Sequence, residues 1–333
     1  MKFLVIQTAF IGDVILATAL VEKLNAAHPG SRIDMLVRSG NESLLQNNPC
    51  LGKIIVWNKK QDKISNLFKV ISAVRKEKYD AVINVHRFFS SGLITVFSGA
   101  KEKIGFRKNP LSAFFTMRVE HSVSGLHETE RNQKLITHLA GDVPAMPRLY
   151  PSADDDRATA AFKADEHGNR IKYICIAPAS VWFTKQFPKE KWIEFMQLIP
   201  ENIKVYLLGA ASDFELCESI KSQNIKKPQA VNLAGKLSFL QTASLMRDAL
   251  MNYTNDSAPL HIASAMNAAV TAVFCSTVPR FGFGPLSGKS FVVETKINLD
   301  CRPCGLHGYA QCPKGHFKCA LTIDVNELQA AMQ

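Results

Sequence analysis

Short runs of β-branched and aliphatic residues alternate with stretches of helical apolar spacing along most of this chain, and that alternation leaves few architectures open. Phe3 to Gln7 reads as a strand, and Asp13 to Ala27 as a helix stopped by Pro29-Gly30. Arg32 to Val37, Lys53 to Trp57 and Tyr79 to Val85 read as further strands, with a helix over Asp62 to Lys76 between the last two. A βαβα pattern of this kind predicts a parallel, doubly wound sheet.

The pattern breaks once. Pro144, Pro147 and Pro151 precede Asp154-Asp155-Asp156 and then Gly168-Asn169. After that break the alternation restarts, with strands over Tyr173 to Ala177, Lys204 to Gly209, Met251 to Tyr253 and Ala269 to Phe274. Helices over Lys189 to Ile199, Ser212 to Ile220 and Phe239 to Leu250 separate them. A chain of 333 residues accommodates two domains of roughly 150 residues each. The junction is placed near residue 150, giving domains 1–150 and 151–333. The last segment, Val325 to Met332, reads as an amphipathic helix expected to pack back on the first domain.

Charge is distributed unevenly over these halves. Residues 1–150 carry 21 basic and 12 acidic side chains, whereas the remainder carries 19 and 17. An excess confined to one half suits an anionic partner: nucleic acid, a membrane surface or a phosphorylated substrate. A solvated basic face is the plainer reading of Lys59 to Lys78 and Lys101 to Lys108. Nothing resembles an RRM signature or a zinc-finger helix, which speaks against nucleic acid.

The apolar run from Phe3 to Val21 superficially resembles a leader segment. Asp13 interrupts it, at a cost of about 2.5–3.5 kcal/mol on insertion scales, and no small-residue cleavage pattern follows. A cytoplasmic protein without a membrane span is expected. Cys50, Cys175, Cys217 and Cys275 stand singly among apolar neighbours and read as reduced core thiols.

In open α/β sheets, ligands bind beyond the carboxyl ends of the strands, so the loops after strands carry the argument. The first, Gln7 to Asp13, has Gly12 and Asp13 but not the three glycines of a nicotinamide-binding turn. Asp13 is either a helix-start carboxylate favoured by the dipole or a general base at a cleft. The loop after the first strand of the second domain offers Ser180, Thr184 and Lys185, which suit phosphate oxygens. Thr254-Asn-Asp-Ser-Ala-Pro-Leu-His261 follows a strand and opens a helix with three candidate caps where one suffices. Such a helix start presents N–H groups to an anion.

Together, Ile11-Gly-Asp-Val14, Leu207-Leu-Gly209 with Asp213, Asn232-Leu-Ala-Gly-Lys236 and Asn255-Asp-Ser-Ala-Pro-Leu-His-Ile262 resemble the ADP-heptose:lipopolysaccharide heptosyltransferases of glycosyltransferase family 9. Cys301-Arg-Pro-Cys304 and Cys312-Pro-Lys-Gly-His316 are similar to a tail of the heptosyltransferase II-like branch. The resemblance implies a GT-B fold: two Rossmann-like domains facing across a cleft, the first for acceptor and the second for nucleotide sugar. It further implies inversion at the anomeric carbon without a required metal. By motif match, Asp13 would be the general base and Gly12 would let the acceptor approach. Lys185, with the N–H groups of Ser257 and Ala258, would hold the leaving diphosphate. Asp256 would contact the sugar or orient the site, Ser180 would lie near the phosphates, and His261 would support the loop. Ala258 stands where the family usually has glycine. Lys59, Lys60, Lys101, Lys103 and Arg107 would guide a phosphorylated lipopolysaccharide-core acceptor, or its inner-membrane surface, to the cleft.

The tail has the spacing C-x2-C-x7-C-x6-C over Cys301, Cys304, Cys312 and Cys319, with His307 and His316 interleaved. Four thiols so close in sequence suit a structural zinc; packing thiols or a reversible disulfide are the alternatives. Two rival functions keep the fold: a transferase using another nucleotide sugar, and a two-domain protein that binds an anion without turnover. Asp13 separates the last from an enzyme, because binding alone needs no carboxylate at an acceptor cleft.

Overall fold

The computed structural model describes residues 1–59, 61–123, 125–224 and 230–332. The chain divides into two compact units, Met1–Tyr150 and Pro151–Gln333. The first contains β1 (Lys2–Ile6), α1 (Ile11–Ala27), β2 (Arg32–Arg38), β3 (Lys53–Trp57), α2 (Lys63–Lys76), β4 (Ala81–Asn84), α3 (Phe89–Phe97), β5 (Glu102–Phe106), β6 (Met117–Val119), α4 (Glu128–Gln133) and α5 (Thr137–Ala140). Its strands lie in the order β3-β2-β1-β4-β5-β6. Every neighbouring pair is parallel, with Phe3 opposite both Ile33 and Ala81.

The second unit repeats this design. It contains α6 (Ala153–Ala160), β7 (Tyr173–Ala177), α7 (Lys189–Gln197), β8 (Lys204–Leu207), α8 (Phe214–Ser222), β9 (Val231–Asn232), α9 (Phe239–Arg247), β10 (Met251–Asn255), α10 (Ala258–Ala265), β11 (Val270–Phe274), β12 (Ser290–Glu294), α11 (Lys318–Leu321) and α12 (Val325–Ala330). The order is β12-β11-β10-β7-β8-β9, again all parallel. Both sheets therefore have the Rossmann arrangement, in which strand order reverses beside the first strand. The reversal falls between β1 and β4 in one unit and between β7 and β10 in the other. In sheets of this order, ligands bind beyond the carboxyl ends of the strands at such a reversal.

Burial explains why β1 and β7 read as nearly unbroken apolar runs: parallel strands covered on both faces have no solvent side to mark. Leu4, Ile6, Leu36, Trp57 and Val82 form one core cluster. Ile174, Ile176, Trp192, Phe195 and Tyr253 belong to another. Helix α1 buries Val14 to Val21 and Leu24, which accounts for its leader-like composition; among the described residues no helix is long and apolar enough to cross a membrane.

Strands β5, β6, β9 and β12 were not legible in the sequence. Three of them are sheet edges, where short or half-exposed segments suffice, and β5 opens with Glu102-Lys103. Helix α12 corrects an expectation. Val325 and Leu328 join the core of the second unit, where Tyr253 donates its hydroxyl to the Leu328 carbonyl at 3.0 Å. Its apolar face is thus taken up within the core of its own unit.

Candidate active site

In the first unit, the chain leaves β1 through Thr8 and enters α1 after an extended Phe10. Asp13 is the third residue of that helix and turns its carboxylate back to accept the Phe10 N–H at 3.2 Å. Burial pushes the Asp13 carboxyl above its ordinary value, against the pull of the Phe10 N–H and the positive charges of Arg87 and Arg38. Arg38 ends β2 and lies over the exposed Phe10 ring, 5.0 Å from its centroid; Arg87 follows β4. Neither was singled out in the sequence. Asp13 thus faces two arginines brought together only because β2, β1 and β4 are neighbours.

Beside it lies a second cluster. Lys59, just past β3, donates to the Thr8 carbonyl at 2.9 Å and to Thr8 Oγ1 at 3.0 Å. Thr8 Oγ1 is 2.9 Å from His86 Nδ1. Burial, then Arg38 and Lys63, lower the Lys59 pKa to about 8. Burial, then Lys59, Arg87 and Arg38, lower His86 to about 3. Arg87 Nη1 lies 2.9 Å from His121 Nδ1, and burial followed by Arg87 holds His121 at about 4. Both imidazoles are therefore neutral at pH 7 and add polarity without charge. Glu128, at the start of α4, is buried in an ion pair 2.7 Å from Arg131. Burial raises its pKa, Arg131 opposes that shift, and the Asp13 charge adds to it.

The expected basic residues divide. Lys59 is at the carboxyl edge, and Gly12 is in the first turn of α1. Arg107 follows β5 and pairs with Glu120 at 3.0 Å. Lys101 and Lys103 are not brought to Asp13: they sit at the amino end of β5, where Lys101 pairs with Asp80 at 2.9 Å. A parallel strand separates residues at its two ends by its whole length, which proximity in sequence to Arg107 conceals. Lys60 lies outside the described residues.

In the second unit, the loop after β7 and the loop after β10 meet. Lys185 Nζ lies 2.7 Å from Asp256 Oδ2, with both side chains largely buried. Asp256 Oδ2 also accepts the Thr277 hydroxyl at 2.6 Å. Asn255, fully buried at the end of β10, holds the loop at both ends. It donates to the Pro178 carbonyl at 2.7 Å and accepts the Phe187 N–H at 2.9 Å. Ser257 is the extended N-cap of α10, and no side chain caps that helix. The helix start is therefore open to an anion beside an ammonium group.

Ala258 does not have a positive φ, so no glycine is needed there. Ser180 is half-buried in the same loop, its carbonyl accepting from Gln186 Nε2 at 2.6 Å. Thr184 is buried, and its hydroxyl oxygen accepts the Tyr309 N–H at 2.8 Å and the Ser276 hydroxyl at 3.0 Å. Both acceptor positions of that oxygen are thus used within the loops, and the hydroxyl proton is what it has left to donate. His261 is buried one turn into α10, edge-on to Phe283 at 6.2 Å. The two remaining quoted motifs adjoin: Gly235 N–H donates to the Gly209 carbonyl at 2.9 Å. A cavity of about 430 Å³ begins at Val278, the residue after Thr277, and is lined also by Arg280, Glu294 and Arg302.

The four tail cysteines are the expected zinc ligands. Among the described residues, no group of three or more His, Cys, Asp or Glu side chains is arranged to hold a metal ion. Cys304 donates its thiol to the Cys301 carbonyl at 3.0 Å, Cys312 is half-buried, and Cys319 is buried on α11. Cys301 Sγ is 3.8 Å from His316 Nε2.

The chain is similar to known proteins. The family model described as glycosyltransferase family 9 (heptosyltransferase) matches residues 67–307. Lipopolysaccharide heptosyltransferase 3 of Escherichia coli is 28% identical over 279 residues, covering 80% of this chain and 82% of that protein. Lipopolysaccharide heptosyltransferase 2 of Escherichia coli K12 is 26% identical over 308 residues, covering 88% of each. The structure of E. coli ADP-heptose LPS heptosyltransferase II aligns with TM-score 0.79 at 25% identity, covering 100% of this chain and 98% of that one. With the match extending over both units, the chain belongs to glycosyltransferase family 9 and is a transferase enzyme of GT-B fold.

Proposed function

We propose that the protein moves a heptosyl residue from ADP-heptose to the inner core of lipopolysaccharide, with inversion and with Asp13 as general base. The observation that carries this reading is the Asp13 carboxylate, turned back at the start of α1 to accept the Phe10 N–H at 3.2 Å, with burial raising its pKa against the charges of Arg87 and Arg38. Desolvation strengthens a carboxylate as a base. In the step itself, Asp13 takes the proton of an acceptor hydroxyl as that oxygen bonds to the anomeric carbon. The bond from that carbon to the diphosphate oxygen breaks, and ADP departs with the electron pair.

The second unit receives the donor. Lys185 and the open start of α10 supply positive charge to the departing diphosphate, the part a divalent ion plays in other transferases. Asp256 keeps Lys185 in place until the diphosphate arrives and then faces the sugar. The first unit receives the acceptor, whose phosphates suit Arg38, Lys59 and Arg87, and the basic surface favours work at the cytoplasmic face of the inner membrane. The similarity to the heptosyltransferases 2 and 3 supports both substrate classes.

The test is calorimetric titration with ADP, ADP-heptose, UDP and GDP without added metal, followed by transfer to a heptose-deficient lipopolysaccharide core. Tightest binding of ADP and ADP-heptose with transfer is the expected result. Preference for UDP or GDP would replace the donor, and donor binding without transfer to any acceptor would favour a protein that binds and does not react.

A further inference from the structure

We propose that residues 302–309 of the tail are a brace that positions the Lys185–Asp256 pair, and that Gly308 sets how closely the brace lies against Lys185. The functional meaning of the pair rests on the reading of this site as the diphosphate site. The brace itself rests on contacts that the reading does not use.

Between the end of β12 and the start of α11 the chain has no regular secondary structure, yet it is fixed to both loops of the site. Tyr309 donates its N–H to Thr184 Oγ1 at 2.8 Å, and its carbonyl accepts the Thr184 N–H at 3.1 Å. Thr184 precedes Lys185, so these bonds fix the backbone from which the ammonium extends. The Cys304 N–H donates to the Ser276 carbonyl at 2.8 Å, and the Ser276 hydroxyl donates to Thr184 Oγ1 at 3.0 Å. Arg302 grips the loop that carries Thr277: it donates to the carbonyls of Cys275 at 2.8 Å, Phe274 at 3.1 Å and Thr277 at 2.8 Å. Thr277 is the residue whose hydroxyl holds Asp256. One short segment is thereby bonded to the supports of both members of the pair.

Gly308 is the closest point. Its φ is +76°, and a Cβ there would lie 2.9 Å from Thr184 Oγ1 and 3.0 Å from Lys185 Cγ. Those atoms belong to a buried hydroxyl with two partners and to the root of the lysine side chain, and neither yields without moving the loop. Gly315, in the same tail, has φ +71° but nothing within 4 Å of a built Cβ. The two glycines share a left-handed backbone that strains any substitute, and they differ in what a methyl group meets.

That difference supplies the experiment. Full-length Gly308→Ala and Gly315→Ala are compared with the wild type by two measurements: acylation of the Lys185 amine quantified by mass spectrometry, and calorimetric affinity for ADP. In Gly308→Ala, Lys185 labelling is expected to rise at least about fivefold and ADP affinity to fall at least about tenfold, as a misplacement well under 1 Å suffices for effects of this size. Gly315→Ala leaves both within about twofold, since it adds strain without contact. Should Gly308→Ala fail to fold, Ser276→Ala removes, without strain, the hydroxyl through which the loop held by Cys304 is bonded to Thr184, and is expected to raise labelling about threefold. Unchanged Lys185 labelling in the folded variants would overturn the brace. Changed labelling in a protein whose wild type binds no ADP would sink the diphosphate reading while leaving the brace intact.

Discussion

The Lys185 ammonium lies 2.7 Å from the Asp256 carboxylate, joining the loop after β7 to the loop after β10. Both side chains are largely buried, so removing one leaves the other as an uncompensated charge. Lys185→Met is expected to weaken ADP binding about a hundredfold, and also to lower Tm. Adding Asp256→Asn to it restores Tm without restoring affinity, because the stray charge is removed but the phosphate contact is not. Recovery of ADP affinity in the double variant would show that Lys185 serves the fold and not the donor.

Asp13→Asn keeps the size of the side chain and its contact with the Phe10 N–H while removing the base. Turnover is expected to fall about a thousandfold, with ADP affinity within about twofold of wild type. Steady-state kinetics beside calorimetry make the comparison. A variant that retained its rate would remove Asp13 from the mechanism.

Lys59 gives the reaction an alkaline limb. Its pKa is lowered to about 8 by burial, then by Arg38 and Lys63. The charged form is therefore present below that value and lost as pH rises through it, well before an ordinary lysine titrates. KM for a phosphorylated acceptor is expected to rise about tenfold between pH 7 and 9. Lys59→Arg keeps its charge across this range and flattens the profile; the same limb in that variant would assign it to another group.

Asn255 is predicted to matter for stability before chemistry. Its side chain links Pro178 and Phe187, the two ends of the Lys185 loop, from a fully buried position. Asn255→Ala leaves a carbonyl and an N–H unpaired in the interior, at about 3 kcal/mol, or ~6–12 °C in the Tm of the second unit. Differential scanning calorimetry checks this, and a shift below ~2 °C would mean water replaces the side chain.

Chelation probes the source of positive charge at the diphosphate. With Lys185 and the α10 start in that role, dialysis against EDTA is expected to leave the transfer rate within about twofold. A loss above about tenfold, recovered by magnesium or manganese, would mean that a divalent ion shares the work.

Much of this protein is written locally. Parallel strands covered on both faces must be continuously apolar, so β1, β2, β7 and β11 stand out, and the proline-rich break marks where the alternation restarts. Ligand-facing residues of such sheets follow strands, which is why Asp13, Lys185 and Asp256 stand out as candidates in the loops after them. The edge strands β6, β9 and β12 were not, because an edge needs little burial to pair on one side.

Tertiary structure decided which of these residues meet. Strand order places β10 beside β7, though β8 and β9 intervene in sequence, and this alone brings Asp256 to Lys185. It places β2 and β4 on either side of β1, so Arg38 and Arg87 reach Asp13, while Lys101, close in sequence to Arg107, falls at the opposite end of β5. The tail shows the limit most plainly: its cysteine spacing carries no sign of the hydrogen bonds that Arg302 and the Tyr309 backbone make to the loops of the site. Sequence spacing fixes distances only within one regular element, and hydrogen bonds between loops depend on where separate elements end.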